Sequence, residues 1–226
     1  MAKFREYLDN LEGRCVFLDT ETTGLDPSNG DRIVEIGAVE IIDGKRGENY
    51  HKYINPERSI PREASNIHGI NDEDVEHESK FYQIAEDFLE YIKGIKECKL
   101  IIHNAPFDVG FINAELEKAS RRLDKDLGII EDYCQVIDSL AKARSLMPGK
   151  KNDLDSLAKR LNVDNSNRNL HGALIDSEIL SDVYGGLIDF EKNNEIIVIE
   201  KSFDEEIIVK PMKLSKRPRV ISDYTP

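Results

Sequence analysis

Two carboxylates, Asp19 and Glu21, stand at the end of a short apolar run, Cys15 to Leu18. The run is typical of a buried strand, and because side chains alternate along a strand, both acids are expected to point to the same side. Such a pair repels itself unless hydrogen bonds, raised pKa values or a cation offset the charge. Hard divalent ions prefer oxygen ligands. The pair is therefore a candidate metal site, with solvated acids at an exposed strand end as the alternative.

Two further carboxylates, Asp108 and Asp176, fall on helical patterns among apolar residues. Asp108 precedes Phe111 and Ile112 by three and four positions, which places it on or beside the buried face of a helix. Asp176 shares one helical stripe with apolar residues, namely Ala173, Leu180, Val183 and Leu187. Both acids are expected to be paired or bound to a metal, since an unpaired carboxylate is costly there. Complementing the helix dipole is the simpler explanation for Asp108 taken alone.

One histidine, His171, lies five residues before Asp176. On a helix the two side chains would point to different sides, so we expect His171 in the loop before that helix. A lone histidine is more often structural than catalytic, and both interpretations stay open at this point. We expect His51 and His77 to be structural or solvated and His103 to support the segment that follows it, and we assign none of the three to a metal.

These residues need a framework that brings them together. Apolar runs predict strands at 15–18, 33–42, 48–54, 99–102 and 136–137. Helical spacing is found at 81–93, 106–119, 152–161 and 170–188. The dipeptide Asp43-Gly44 predicts a turn between the second and third strands. A three-stranded meander followed by helices alternating with strands predicts an α/β fold, in which helices flank a mixed five-stranded sheet.

The composition is that of a soluble domain with a tail. Of the 226 residues, 39% are hydrophobic and 33% are charged. Residues 1–190 carry the patterns above, whereas 191–226 alternate charge with short aliphatic runs and include a basic stretch at 213–219, so we expect a tail with a docking segment. The first twelve residues are polar and no apolar run is long enough to cross a membrane, which predicts a cytoplasmic protein.

The net charge of −13 bears on the class of partner. It argues against a protein that coats a duplex, because such binding needs a basic stripe. It is compatible with an enzyme that holds a few nucleotides at one strand end through divalent ions in an acidic pocket. The charge therefore favours a metal-mediated active site.

The segments that hold these acids resemble the three motifs of the DEDD family of 3′→5′ exonucleases. They are Asp19-Thr20-Glu21-Thr22-Thr23-Gly24-Leu25, His103-Asn104-Ala105-Pro106-Phe107-Asp108 and His171-Gly172-Ala173-Leu174-Ile175-Asp176. His171 matches the subclass with a catalytic histidine. Further segments are similar to the epsilon (proofreading) subunits of bacterial DNA polymerase III, at 33–40, 67–70, 138–141 and 164–166. The resemblance covers roughly residues 14–188.

The resemblance implies a ribonuclease H-like fold and two bound divalent metal ions, Mg²⁺ or Mn²⁺. It implies that Asp19, Glu21 and Asp176 hold the metal that activates the attacking water. Asp19 would also bridge to the second metal, which Asp108 helps to organise, and His171 would be the general base. A metal pair activates the water, stabilises charge in the transition state and assists the leaving 3′ oxygen.

For the substrate, the resemblance implies a ring of residues around the terminal nucleotide: Thr20, Thr22, Leu25, Ile67, His68, Asn104 and Phe107. Thr20 and Thr22 would hold that nucleotide, Leu25 and Ile67 would wedge against its base, and His68 would contact the scissile strand. Apolar stacking on bases tolerates any sequence, as a proofreading enzyme needs. Packing within loops and core is the alternative for the apolar members.

The implied function is proofreading during DNA replication, with a single-stranded DNA 3′ end or a frayed primer terminus as substrate. The tail would contact the alpha subunit of DNA polymerase III, although it is shorter than the resemblance leads us to expect. Two alternatives stay open. An RNA-trimming 3′→5′ exonuclease of the same superfamily shares the motifs, and a scaffolding subunit would have lost a carboxylate or the histidine, all of which are present.

Overall fold

The computed structural model describes residues 7–94, 97–166 and 170–203, and for 195–203 it describes the backbone alone. The chain divides into two units, one ending at Glu191 and one beginning at Lys192. All that follows concerns the first unit. Among the described residues, no helix is long and apolar enough to cross a membrane.

A mixed sheet of six strands forms the centre of this unit. The strands are β1 (Arg14–Thr22), β2 (Ile33–Ile42), β3 (Lys45–Arg46), β4 (Tyr50–Tyr53), β5 (Cys98–Ile102) and β6 (Gln135–Asp138). The order is β3-β2-β1-β5-β6, and β4 also pairs with β2. β2 runs antiparallel to β1, β3 and β4, whereas β5 pairs parallel with both β1 and β6. The predicted α/β fold with a mixed sheet is confirmed.

The strand beyond the predicted five is β3, which follows the Asp43-Gly44 turn. Both turn residues have a positive φ, 48° and 77°, as a type I′ hairpin requires. β3 consists of two exposed cationic residues, so it has no apolar pattern by which a sequence reveals a strand. The predicted third strand is β4, at Tyr50–Tyr53.

Helices cover both faces of the sheet. They are α1 (Arg62–His68), α2 (Asp72–Val75), α3 (Phe81–Lys93), α4 (Ala105–Leu123), α5 (Ser139–Leu146), α6 (Leu154–Leu161) and α7 (Ala173–Phe203). The four predicted helices are confirmed as α3, α4, α6 and α7. The sequence did not predict α1, α2 and α5, which have seven, four and eight residues and few buried apolar positions from which to read a period. α6 is as short as α5, but Leu154, Leu157 and Ala158 give it a clear apolar face.

The central strand β1 is buried on both faces and divides the core into two layers. Val16 and Leu18 pack with apolar residues of α3 and α4, whereas Cys15 and Phe17 pack with those of α5, α6 and α7. Because alternate residues point to opposite faces, position 20 faces the α3–α4 layer. Positions 19 and 21 face the layer that contains α7.

Candidate active site

An acidic cavity of about 280 Å³ lies at the carboxyl end of β1. Six carboxylates line it: Asp19, Glu21, Asp108, Asp153, Asp155 and Asp176. The lining also includes His103, Asn104 and His171, and among the described residues it includes no lysine or arginine. So much negative charge in one cavity is offset most directly by cations.

The four carboxylates predicted from the sequence reach this cavity from both faces of the sheet. Asp19 and Glu21 come from β1, Asp176 from the first turn of α7 and Asp108 from the first turn of α4. Glu21, Asp108 and Asp176 are only 8%, 3% and 3% exposed. Acids that are distant in sequence thus lie together at the carboxyl end of the parallel pair β1 and β5.

Asp108 is tied to β1 through a neighbouring threonine. The backbone N–H and the hydroxyl of Thr20 both donate to Asp108 Oδ1, at 3.0 and 2.7 Å. Burial raises the pKa of Asp108 to about 7, even though the bonds from Thr20 favour its charged form. In the metal-free protein this carboxyl therefore retains its proton close to neutral pH, and a nearby cation would favour its ionisation.

His171 lies in the loop directly before α7, as predicted. Its backbone N–H donates to the carbonyl of Ile67 at 3.2 Å, which ties the loop to α1. Its side chain is 49% exposed, and Nδ1 lies 3.3 Å from Oδ2 of Asp176. Ligand atoms of Glu21, His171 and Asp176 all lie within 4.8 Å of one another. The His171 imidazole thus lies at the mouth of the acidic cavity, and the hydrogen bond to Ile67 fixes the backbone of this residue.

A second, more apolar cavity of about 520 Å³ adjoins the first and shares Thr20, Glu21 and Phe107 with it. Its lining contains most of the predicted substrate residues, namely Thr20, Thr22, Leu25, Ile67, His68 and Phe107. Leu25 and Ile67 are 83% and 53% exposed. Large apolar side chains exposed at a cavity are typical of a binding site. The remaining predicted residue, Asn104, lines the acidic cavity.

His68 lies in the second cavity, where a hydrogen bond and burial favour the neutral form of its ring. Its Nδ1 accepts the backbone N–H of Ile70 at 3.0 Å, so the neutral ring carries its proton on Nε2. The side chain is buried, and burial lowers the pKa of His68. The ring can therefore donate a hydrogen bond but is poorly suited to accept a proton.

Comparison with known proteins agrees with this geometry. The exonuclease family model matches residues 16–184. The DNA polymerase III subunit epsilon of Rickettsia conorii is 52% identical over 172 residues, which are 76% of this chain and 72% of that protein. The corresponding subunit of Rickettsia felis is 47% identical over 215 residues, 88% of this chain and 91% of that protein. This chain belongs to the family of DNA polymerase III epsilon subunits.

A solved structure supports the fold of this epsilon-family chain. Exonuclease X in complex with 5′ overhanging duplex DNA superposes with a TM-score of 0.57 and 28% identity, over 82% of this chain and 93% of that chain. The ribonuclease H-like fold and the exonuclease function predicted from the motifs are thus confirmed. Dependence on divalent metal is typical of the exonuclease superfamily.

Glu35 supports the site of this epsilon-family chain, although no role was predicted for it. It lies on β2 and is 3% exposed. Its Oε2 accepts the backbone N–H of Ala173 at 3.0 Å, and its Oε1 lies 2.7 Å from Nε2 of His51. Ala173 is the first residue of α7, so the carboxylate satisfies an N–H that has no partner within the helix. His51 is thereby structural, as predicted.

Gly37, also on β2, lets the same helix approach the sheet. A Cβ at Gly37 would lie 2.1 Å from the backbone nitrogen of Leu174, closer than any side chain permits. The Ser177 hydroxyl donates to the Gly37 carbonyl at 2.8 Å. Backbone contact between β2 and the first turn of α7 therefore sets the position of Asp176.

Four residues of the acidic cavity were not assigned to the site from the sequence: His103, Asp153, Leu154 and Asp155. Asp153 caps the start of α6 by accepting from the backbone N–H of Ser156, and His103 Nδ1 lies 2.9 Å from the hydroxyl of Ser139. Because helix capping is a sufficient local reason for an aspartate at position 153, the sequence pattern does not indicate that Asp153 also lines the cavity. The packing of α6 beside β1 brings Asp153 and Asp155 to the cavity, whereas His103 reaches it from the end of β5.

We expect Glu35→Ala to lower the exonuclease rate about 10-fold or more, because a small displacement of α7 moves His171 and Asp176 together. Glu35→Gln keeps an acceptor for the Ala173 N–H and should retain most activity. The measurement is kcat and KM on a single-stranded oligonucleotide at saturating Mg²⁺. Glu48→Ala, an exposed residue of the neighbouring loop, serves as the control. Equal rates for Glu35→Ala and Glu48→Ala would contradict the positioning role.

Proposed function

We propose that this chain removes nucleotides from the 3′ end of DNA by metal-dependent hydrolysis, as a proofreading exonuclease of DNA polymerase III. The observation that carries the proposal is the junction of two cavities. The acidic one has His171 at its mouth, and the apolar one has Leu25 and Ile67 exposed at its side. One cavity suits a phosphodiester with its cations and the other suits a terminal base.

The acidic cavity fits divalent cations by the chemistry of its donors. Carboxylate oxygens are the ligands that Mg²⁺ and Mn²⁺ prefer, and no lysine or arginine lines the cavity among the described residues. Two ions would be held by four carboxylates: Asp19, Glu21 and Asp176 would hold one, and Asp108, together with Asp19, would hold the other. When bound, such ions polarise the phosphate, generate the nucleophile and stabilise the leaving oxygen.

His171 is assigned as the general base. Its Nδ1 faces the Asp176 carboxylate at 3.3 Å, which favours the tautomer with a proton on Nδ1 and a lone pair on Nε2. Nε2 would then take the proton from the attacking water. The half-exposed ring can turn towards the substrate, because the backbone bond to Ile67 anchors the loop independently of the side chain.

The apolar cavity is assigned to the terminal nucleotide. Leu25 and Ile67 would wedge against its base, and Phe107, between the two cavities, would contact its sugar. Thr20 and Thr22 would hold the nucleotide, and Asn104 would contact the strand from the acidic side. His68 would contact the scissile strand. None of these contacts reads a base edge, so any terminal nucleotide is accepted.

A change at the apolar rim tests this assignment. We expect Leu25→Ala together with Ile67→Ala to raise KM for single-stranded DNA about 10-fold, because stacking against a base contributes roughly 1–3 kcal/mol. Since both side chains are exposed, the fold should not change. Leu123→Ala, an exposed leucine at the end of α4, is the matched control. An unchanged KM in the double variant would remove the wedge role.

The remaining parts of the proposal concern the chain as a whole. We assign residues 1–190 to the exonuclease domain and 191–226 to a tail that contacts the alpha subunit of the polymerase. The basic stretch 213–219 lies outside the described residues. The relatives are bacterial subunits of a replicative polymerase, which supports action in the cytoplasm on a frayed primer terminus.

Digestion of a 5′-labelled single-stranded DNA oligonucleotide tests the function directly. With Mg²⁺ or Mn²⁺ we expect a ladder that shortens from the 3′ end, and with EDTA we expect no cleavage. A duplex with a mispaired 3′ end should be digested faster than a paired one. No digestion by folded protein in the presence of metal would refute the proposal. Faster digestion of the matching RNA would favour the RNA-trimming alternative.

A further inference from the structure

A third cavity, of about 230 Å³, lies between α3, α4 and the start of β2. Its lining consists of Arg32, Glu57, Tyr82, Glu115, Lys118 and Arg122, with Ala119 at its base. It shares no lining residue with the two cavities described above. The exonuclease mechanism therefore gives it no role.

The carboxylates of this cavity are already engaged by other cations. Both oxygens of Glu115 accept from Arg32, at 2.5 and 2.8 Å. Glu57 lies 2.7 Å from Nζ of Lys80. Lys118 and Arg122 thus provide positive charge beyond what these pairs use. Such an excess stands out in a chain whose net charge is −13.

The surroundings of Lys118 indicate that this cavity can accept an anion. Its Nζ is buried and has no hydrogen-bond partner among the described residues. Burial lowers the pKa of Lys118, which reflects the cost of holding an ammonium away from water. A buried ammonium without a hydrogen-bond acceptor is destabilising, so a ligand that accepts from Nζ would be bound favourably.

Arg122 supplies a second donor beside the ammonium. Its guanidinium lies over the Tyr82 ring, 4.6 Å from the centroid. Stacking uses the face of the guanidinium, whereas its N–H donors point outwards in the plane of the group. A fork of N–H donors next to a point charge matches the tetrahedral oxygens of phosphate.

We propose that this cavity binds a phosphate group through Lys118 and Arg122, with Arg32 at its edge. The phosphate has two possible sources, a free phosphate or the backbone of a bound strand. Lys118 follows Asp108 by ten residues on α4, a distance of about 15 Å along the helix. About four stacked nucleotides span that distance at 3.4 Å each. The backbone source rests on the proposed function, whereas the anion site itself does not.

Thermal unfolding of the full chain in EDTA tests the site, because without metal the acidic cavity has no cation through which to hold phosphate. We expect inorganic phosphate, at constant ionic strength, to raise the unfolding midpoint by about 2–4 °C. Lys118→Met should raise the midpoint without phosphate and abolish the response, and Arg122→Gln should weaken the response. Arg121→Met, an exposed neighbour on α4, should behave as the wild type.

Two results would overturn the proposal: no response to phosphate in the wild type, or an equal response in Lys118→Met. A labelled single-stranded DNA oligonucleotide in EDTA then separates the sources. If phosphate competes with the oligonucleotide and Lys118→Met weakens its binding several-fold, the site holds backbone phosphate. If oligonucleotide binding is unchanged in Lys118→Met while the phosphate response is lost, the site takes free phosphate. Failure of cleavage with metal would leave these binding results intact, so the two proposals are tested separately.

Discussion

Replacing His171 by alanine is expected to lower the rate of 3′ digestion by about 10²–10⁴-fold, the usual contribution of a general base. The fold should be unaffected, because the side chain is half-exposed and the loop is anchored by its backbone N–H to Ile67. The measurement is the single-turnover rate on a labelled single-stranded oligonucleotide. His77→Ala, which replaces a histidine side chain that is 91% exposed, should digest at the wild-type rate.

The same variant separates a base from a metal ligand. His171 lies within 4.8 Å of ligand atoms of Glu21 and Asp176, so both roles are geometrically available. If His171 is the base, the His171→Ala variant should still be stabilised by Mn²⁺ against thermal unfolding, and added imidazole should restore part of its rate. Loss of the Mn²⁺ stabilisation in His171→Ala would show a ligand instead, and a rate within threefold of wild type would exclude both roles.

Asp108→Asn is expected to abolish activity and at the same time to stabilise the metal-free protein above neutral pH. Burial raises the folded-state pKa of Asp108 to about 7, whereas an unfolded aspartate titrates near 3.9. The folded protein therefore binds a proton that the unfolded chain has lost between these values. The stabilisation that this proton provides is complete below about pH 4, decreases as the pH rises towards 7, and is absent above that pH. The asparagine side chain of the variant cannot ionise, so the variant does not lose this stability, which amounts to roughly 2–4 kcal/mol.

Urea unfolding in EDTA at pH 4 and pH 8 measures the effect. The two proteins should have similar free energies of unfolding at pH 4, and Asp108→Asn should be the more stable at pH 8. Mg²⁺ should stabilise the wild type at pH 8 and have a weaker effect on the variant. Glu117→Gln, an exposed change on the same helix, should alter neither. A lower free energy of unfolding for Asp108→Asn than for the wild type at pH 8 would contradict this prediction, because it would show that the protein stabilises the ionised Asp108 carboxylate without metal.

The acids of the site were predictable because they interrupt apolar patterns. Asp108 and Asp176 both lie on the buried stripes of helices, and both are 3% exposed. The helix at 81–93 was predicted at its observed ends, since its apolar face repeats over thirteen residues. The roles of the substrate residues came from the family resemblance, and the structure places six of them around one cavity.

Glu35 and α1 could not be predicted in this way. Glu35 bonds to a residue 138 positions away, and no local pattern contains that contact. α1 has only seven residues, yet it carries Ile67 and His68 and fixes the loop of His171. The excess charge around Lys118 likewise arises only where α3, α4 and β2 meet. These features depend on tertiary packing, which composition and periodicity do not contain.

The division of the core by β1 has a consequence for how the protein unfolds. Asp108 belongs to the α3–α4 layer and Asp176 to the layer of α7, and the two meet only at the end of the strand. Two ions that share Asp19 as a ligand, one held by Asp176 and the other by Asp108, would cross-link the two layers at that point. Opening of either layer would then require release of the ions, so metal should couple the layers into one cooperative unit. Amide exchange in both layers is accordingly expected to slow together when metal is added.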